Sequence, residues 1–187
     1  MITVKENFSS RSVIKKSIFI SELSPISSEE RAAGLIEETK NKNKRANHYC
    51  FAYVLGDNRE LQRISDNGEP AGTAGKPILD CIEKNDLSDV LITVTRYFGG
   101  IKLGAGGLIR AYSESAEKSI KKAKLFASEK RQVFKISFDY GSFDTLKYFF
   151  KKNDIDTSKI SFGEKISCEI SVKSAKASLS LRKLQIF

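Results

Sequence analysis

The chain has 187 residues, 40% hydrophobic and 29% charged, with a net charge of +9. That composition excludes a disordered chain and suits one or two globular domains with their own core. A single histidine, His48, excludes histidine-rich metal sites; the three scattered cysteines (Cys50, Cys81, Cys168), with no Cys-x-x-Cys, argue against structural zinc and for reduced thiols.

No apolar run approaches the roughly 20 residues of a membrane helix, so no membrane partner is expected. Residues 1–12 lack the apolar stretch of a signal peptide, which points to the cytoplasm. Residues 17–23 (SIFISEL) predict a strand. Ser27 and Glu30 have capping-box spacing and open a helix to about residue 41, with Ala33 and Ile36 on its inner side. Residues 40–45 (KNKNKR) predict a basic loop. Residues 49–55 (YCFAYVL) predict a buried strand, paired with 61–65 across a turn of Gly56, Asp57 and Asn58.

Residues 66–76 (DNGEPAGTAGK) form a glycine-rich loop, and Pro77 suits the first position of a helix to about residue 84. The β-branched run 90–95 (VLITVT) predicts a central strand. A second glycine-rich turn, 99–107, leads into a long helix with a buried stripe of Ala105, Ile109, Tyr112, Ala116, Ile120 and Ala123.

A second unit is expected from 128 to 187, after a first of 1–127. Phe134, Ile136 and Phe138 alternate as in a strand. Ser142 can cap a helix carrying Phe143, Leu146, Phe149 and Phe150. Residues 155–162 and 165–172 read as a hairpin, with Ile166, Cys168, Ile170 and Val172 on one face. Residues 174–184 predict a helix. The order β-α-β-β-α is a ferredoxin-like pattern in which only residues 185–187 remain for a last strand. The first unit carries 20 basic and 16 acidic residues (+4), the second 12 and 7 (+5), so the smaller unit is the more basic per residue.

Eight of the 12 glycines lie between positions 68 and 107. Both phosphate-loop patterns fail there. Pro70 and Pro77 replace the glycine and hydroxyl of a P-loop ending in Gly75-Lys76, and Gly104-Ala105-Gly106 is followed by Ile109 where a dinucleotide fingerprint needs glycine. Yet each loop still delivers the chain into a helix N-terminus, where unpaired N–H groups and a partial positive charge attract anions. The candidate phosphate-binding residues are Gly72, Gly75 and Lys76 at the first start, and Arg96, Gly99, Gly100, Lys102, Gly104, Gly106, Gly107 and Arg110 at the second.

Asp66 and Glu69 are candidate loop carboxylates, as a turn former, a base or a metal ligand, while Asn67 suits a turn. His48 is expected as a hydrogen-bonded residue at a strand entry, and Cys50 and Cys81 as core. Tyr97 and Phe98 could stack on bases or pack in the core. No catalytic residue, cofactor or metal is assigned.

Four stretches resemble the IMPACT/YigZ family: 15–21 (KKSIFIS), 46–55 (ANHYCFAYVL), 65–77 (SDNGEPAGTAGKP) and 90–112 (VLITVTRYFGGIKLGAGGLIRAY). The resemblance implies an α+β protein. Its N-terminal domain would be like the second domain of small-subunit ribosomal protein five, and its ferredoxin-like C-terminal domain similar to the last domain of elongation factor G. Eukaryotic relatives are linked to translational control through a stress-response kinase pathway and carry an extra N-terminal domain. This chain has no room for it, so that role is not carried over.

The leading expectation is a non-enzymatic protein that binds RNA or the ribosome and regulates translation. The alternatives are an enzyme acting on a phosphorylated small molecule or nucleotide, and an interaction module docking on a translation factor.

Overall fold

The computed structural model describes residues 2–56, 58–127 and 131–173. The chain divides into two units, one ending at Ser128 and one beginning at Glu129. In the first, the order is β1 (Ile2–Thr3), β2 (Phe8–Ile14), β3 (Ser17–Pro25), α1 (Glu29–Lys42), β4 (His48–Leu55), β5 (Leu61–Ser65), α2 (Gly75–Lys84), β6 (Val90–Tyr97), α3 (Ala105–Lys122) and β7 (Phe126–Ala127). Strands β2 to β6 form one antiparallel sheet in the order β2-β3-β6-β4-β5. The β-branched run of β6 therefore lies at the centre, buried on both faces. β1 and β7 pair separately.

The period of two along each strand sorts the core. Phe19 and Leu23 of β3, Cys50, Ala52 and Val54 of β4, and Val90, Ile92 and Val94 of β6 face α2 and α3, meeting Ile78, Ile82, Leu108, Ala111, Tyr112 and Ala116. On the opposite face, Ala32 and Leu35 of α1 cover Tyr53, Leu55 and Leu91. Each large apolar side chain buried this way contributes about 1.5–3 kcal/mol. α3 lies over β2 and β3, where serines replace bulk. Ser21 and Ser119 share a 2.9 Å hydrogen bond, and Ser10 donates to the Ser115 carbonyl at 3.4 Å.

That serine seam corrects the stripe expected for α3. Its buried residues are Leu108, Ala111, Tyr112, Ser115, Ala116, Ser119 and Ile120. Ile109 is 42% exposed and Ala105 also faces out. Hydrophobicity alone rotates the stripe away from Ser115 and Ser119, which are small enough to be buried once paired. α1 is corrected similarly. Its N-cap is Ser28, which accepts from the Arg31 N–H at 3.2 Å, so Glu30 is the second helical residue and no Ser27 capping box forms. Ala32, Leu35 and Thr39 face inward and Ala33 outward. The helix also takes up part of the expected basic loop. Pro77 is the third residue of α2, still within the turn whose N–H groups need no helical partner.

The second unit contains β8 (Arg131–Phe138), a 3₁₀ turn (Tyr140–Ser142), α4 (Phe143–Lys152), β9 (Asp156–Phe162) and β10 (Ile166–Lys173). The antiparallel sheet has the order β8-β10-β9. Cys168, Ile170 and Val172 of β10 pack with Leu146 and Phe150 of α4 and with Phe134 and Ile136 of β8. Ser142 holds the N-cap position of α4 without a side-chain capping bond. The expected helix over 174–184 and the final strand over 185–187 lie outside the described residues. Among the described residues, no helix is long and apolar enough to cross a membrane.

Candidate functional site

The first glycine-rich loop runs from β5 to α2 and turns back on Asp66. One carboxylate oxygen of Asp66 accepts the N–H groups of Ala74 and Gly75 at 2.9 and 2.8 Å; the other accepts that of Gly72 at 2.8 Å. Burial works to raise the Asp66 pKa, but the three N–H donors outweigh it and hold the carboxyl below its usual range. The start of α2 is thus filled by the protein's own carboxylate. With both oxygens engaged by backbone N–H groups, Asp66 serves as a structural cap. Gly72 and Gly75 serve that cap, and a Cβ on Gly75 would sit 2.9 Å from the Ser65 backbone nitrogen. Lys76 points elsewhere, with its ammonium 2.7 Å from Asp80 on the exposed side of α2.

The second loop begins where β6 ends. Arg96 is buried and its guanidinium donates to Oε1 of buried Glu69 at 2.6 Å. It also donates to Ser17 at 3.3 Å and lies between the Phe19 and Phe98 rings, 5.5 and 5.4 Å from their centroids. Tyr112 of α3, fully buried, donates its hydroxyl to the same Oε1 at 2.8 Å. Burial pushes the Tyr112 pKa up, and the neighbouring Cys50 and Glu69 add to it, so the phenol stays a donor. Arg96 is therefore committed to Glu69, bracing the first loop against the central strand. Unlike the expectation of a phosphate-binding arginine, it acts from behind the surface.

His48 opens β4 and hydrogen-bonds through Nδ1 to the Asn67 carbonyl at 2.9 Å, which makes Nδ1 the protonated nitrogen. Its Nε2 lies 3.8 Å from Glu69 Oε1. Asn67 adopts a positive φ of 40° and accepts from the Tyr49 N–H at 2.8 Å, so the turn is pinned to β4. The Cys50 thiol lies 2.9 Å from the Asp66 carbonyl oxygen and is pushed up to about 12, chiefly by burial. It is a packed thiol, not a nucleophile.

The start of α3 is built differently. Its N-cap, Gly104, has φ +72° and ψ 164°, a backbone that favours glycine, and offers no capping side chain. The first N–H with a helical partner is that of Leu108, bonded to the Gly104 carbonyl. The N–H groups of Ala105, Gly106 and Gly107 have no partner among the described residues. Ala105, with Gly104 before it and Leu108 after it, lines a cleft of about 470 Å³. Glu69 and Pro70 of the first loop form part of its wall, and Phe98, Lys102, Leu103 and Gly104 of the second form another part. His48 and Arg96 contribute to the same wall.

The structure thus brings the two loops together, but only one of the two helix starts is open. Gly99 belongs to the scaffold: a Cβ there would lie 2.0 Å from the Lys16 carbonyl carbon, and its N–H reaches Ser17 at 3.2 Å. Gly100 is an exposed turn residue at φ +81°. Arg110 lies one turn along α3 and stands beside the cleft rather than in its wall; its Nη1 would be 3.9 Å from a Cβ on Gly106. Phe98 is 45% exposed in the cleft, whereas the Tyr97 hydroxyl is tied to Asn43 at 2.9 Å.

Two contributors carry no motif. Tyr112 reads as plain core, and Asn47 accepts the Phe98 N–H at 2.8 Å, holding that ring's backbone. The signal for Tyr112 would have been its hydroxyl, which needs a partner when buried.

Comparison with known proteins adds to this geometry. The Impact N-terminal domain matches residues 15–120. The IMPACT family member YvyE of Bacillus subtilis is 39% identical over 171 residues, spanning 91% of this chain and 79% of its own. The IMPACT family member YigZ of Escherichia coli is 39% identical over 110 residues, 58% of this chain and 54% of its own. A crystal structure described as that of a hypothetical protein superposes with a TM-score of 0.72 at 26% identity, covering 98% of this chain and 90% of that one. The chain belongs to the IMPACT family.

Proposed function

We propose that this chain is a non-enzymatic RNA-binding protein acting on translation, and that the cleft at the start of α3 holds a phosphate of the RNA backbone. The observation that carries this reading is the open α3 start, with three unpartnered N–H groups beside Lys102 in a chain of net charge +9. A helix start of this kind favours an anion through both its N–H groups and its dipole. Phe98, half-exposed in the same cleft, offers a ring on which a base can stack. The IMPACT resemblance supplies the link to translation, and RNA or the ribosome is the proposed partner. The domain likenesses are proposed with it: the first unit to the second domain of ribosomal protein five, and the second, whose order β8-β10-β9 suits the first three strands of a ferredoxin-like sheet, to the last domain of elongation factor G.

The test is the salt dependence of binding to a single-stranded RNA oligonucleotide, followed by fluorescence anisotropy. Backbone-dominated binding gives a steep slope and little sequence preference. Lys102→Ala is expected to lower the magnitude of that slope by about one. Ala105→Pro removes one N–H at the first helical position, where proline is accommodated, and is expected to weaken binding several-fold with the slope unchanged. Two variants that bind like the parent chain overturn the reading.

A further inference from the structure

The sheet face under α1 holds a separate cavity of about 160 Å³, which shares no residue with the cleft at the α3 start. Thr93 of the central strand β6 lines it and is 4% exposed. Leu91, two residues earlier and so on the same face, packs under α1, which directs the Thr93 side chain toward that helix and the gap beside it. The Thr93 hydroxyl is buried and has no hydrogen-bond partner. An unpaired buried hydroxyl costs stability unless something from outside pairs with it. Next to it stands Glu22, the β3 residue in register with Thr93. Glu22 is half-buried, and its Oε2 accepts the Thr39 hydroxyl at 3.1 Å. No cation among the described residues pairs with this carboxylate. Lys42, the cation in the cavity wall, lies 3.7 Å from exposed Glu38 instead.

We propose that this cavity binds a primary alkylammonium group, which donates to Glu22 and Thr93 and lays its methylenes against Phe8, Leu35 and Leu91. The uncompensated carboxylate asks for positive charge, and the unpaired hydroxyl beside it asks for a partner. An ammonium answers both, because it carries the charge and three N–H donors. No group of three or more acidic, histidine or cysteine side chains among the described residues could hold a metal ion. The three apolar side chains in the wall suit a short alkyl chain. At about 160 Å³ the cavity is below the roughly 300–1,000 Å³ of sites for drug-sized ligands, so it takes a head group and a few methylenes. A free aliphatic amine and the lysine side chain of another protein both carry this group.

The probe is n-butylammonium, titrated onto the full chain at constant ionic strength and followed by amide NMR. Saturable shifts are expected at Glu22, Thr39 and Thr93, with a Kd on the order of 1 mM. n-Butyltrimethylammonium keeps the charge and the chain but has no N–H, and is expected to bind about tenfold more weakly. Glu22→Gln keeps an acceptor for Thr39 and removes the charge, with an expected loss of about tenfold. Thr93→Val removes the hydroxyl at nearly constant volume, with an expected loss of about fivefold. Without amine, Thr93→Val should melt no lower than the parent chain, because its hydroxyl has no partner to lose. A lower melting temperature with unchanged affinity would make Thr93 structural and overturn its part in the site. Shifts that fail to saturate or fall on other residues, or equal binding of the two ammonium ions, overturn the proposal as a whole. If Glu22→Gln fails to fold, Thr93→Val and the pair of ammonium ions still decide. A single-lysine peptide that shifts the same amides more tightly than n-butylammonium supports the site and assigns it to a protein partner. A peptide that leaves them unmoved while n-butylammonium binds supports a free amine.

Discussion

The starts of α2 and α3 look alike in sequence and behave differently in structure. Both follow glycine-rich loops, and both have a cation close by in sequence. At α2 the loop carries its own acceptor: Asp66 turns back and accepts three N–H groups. At α3 no side chain returns, and the N–H groups of Ala105, Gly106 and Gly107 stay without partners among the described residues. Whether a helix start can take a ligand depends less on its glycines than on whether an upstream carboxylate can reach it. Asp66 lies eight and nine residues before Ala74 and Gly75, linked by a loop that doubles back. The loop before α3 contains Lys102 and no carboxylate from Phe98 to Gly104.

The largest expected effect comes from the brace between the loops. Arg96→Ala leaves the Glu69 carboxylate buried without its cation, and loss of one partner of a buried pair costs about 3–5 kcal/mol. Chemical denaturation should show that loss. A cost under about 1 kcal/mol would mean that the two loops are not held together by this pair. Asp66→Ala comes next. Three N–H groups lose their acceptor, two of them on the buried residues Ala74 and Gly75, and an expected cost of about 1–3 kcal/mol follows from leaving those two donors unsatisfied.

Asp66 also sets an acid limit with a definite sign. Its folded pKa lies below the ordinary aspartate value of about 3.9, so its contribution is complete above that value and is lost as pH falls through the folded pKa. Thermal melts from neutral pH downward should show the parent chain losing stability below about pH 4. Asp66→Ala should lose less over the same interval. If the parent and variant curves stay parallel, Asp66 is not capping α2. At the α3 start the effects fall on binding instead: Lys102→Ala lowers the salt slope and Ala105→Pro weakens affinity, with little change in melting temperature.

Much of the fold was legible because local chemistry and tertiary demand agree. The run 90–95 is apolar on both faces and lies in the centre of the sheet. The hairpin of β4 and β5 follows from the apolar run of β4, a glycine turn and a short segment that returns beside it. Where they part, tertiary demand wins. Ser115 and Ser119 are buried by a small-residue seam that hydrophobicity does not detect, so hydrophobicity alone turns the stripe of α3 toward Ile109.

At the site, the glycine clusters and cations were visible, but their pairing was not. Glu69 and Arg96 are 27 residues apart and Glu69 and Tyr112 are 43 apart, and only the folded sheet shows that one oxygen serves both. A sequence shows which residues carry charge. It does not show which charges are already spent.

Lys76 gives the smallest effect and the cleanest contrast. It lies beside a glycine-rich helix start just as Lys102 does. Its ammonium, however, lies 2.7 Å from Asp80 and 3.9 Å from Glu83, and the N–H groups it would assist already hold Asp66. A phosphate arriving there would have to displace a carboxylate from three donors. Lys76→Ala should therefore leave both the RNA affinity and the salt slope at their parent values in the anisotropy titration, while Lys102→Ala lowers the slope by about one. A similar drop in both variants would place a phosphate contact at α2 and erase the distinction between a closed helix start and an open one.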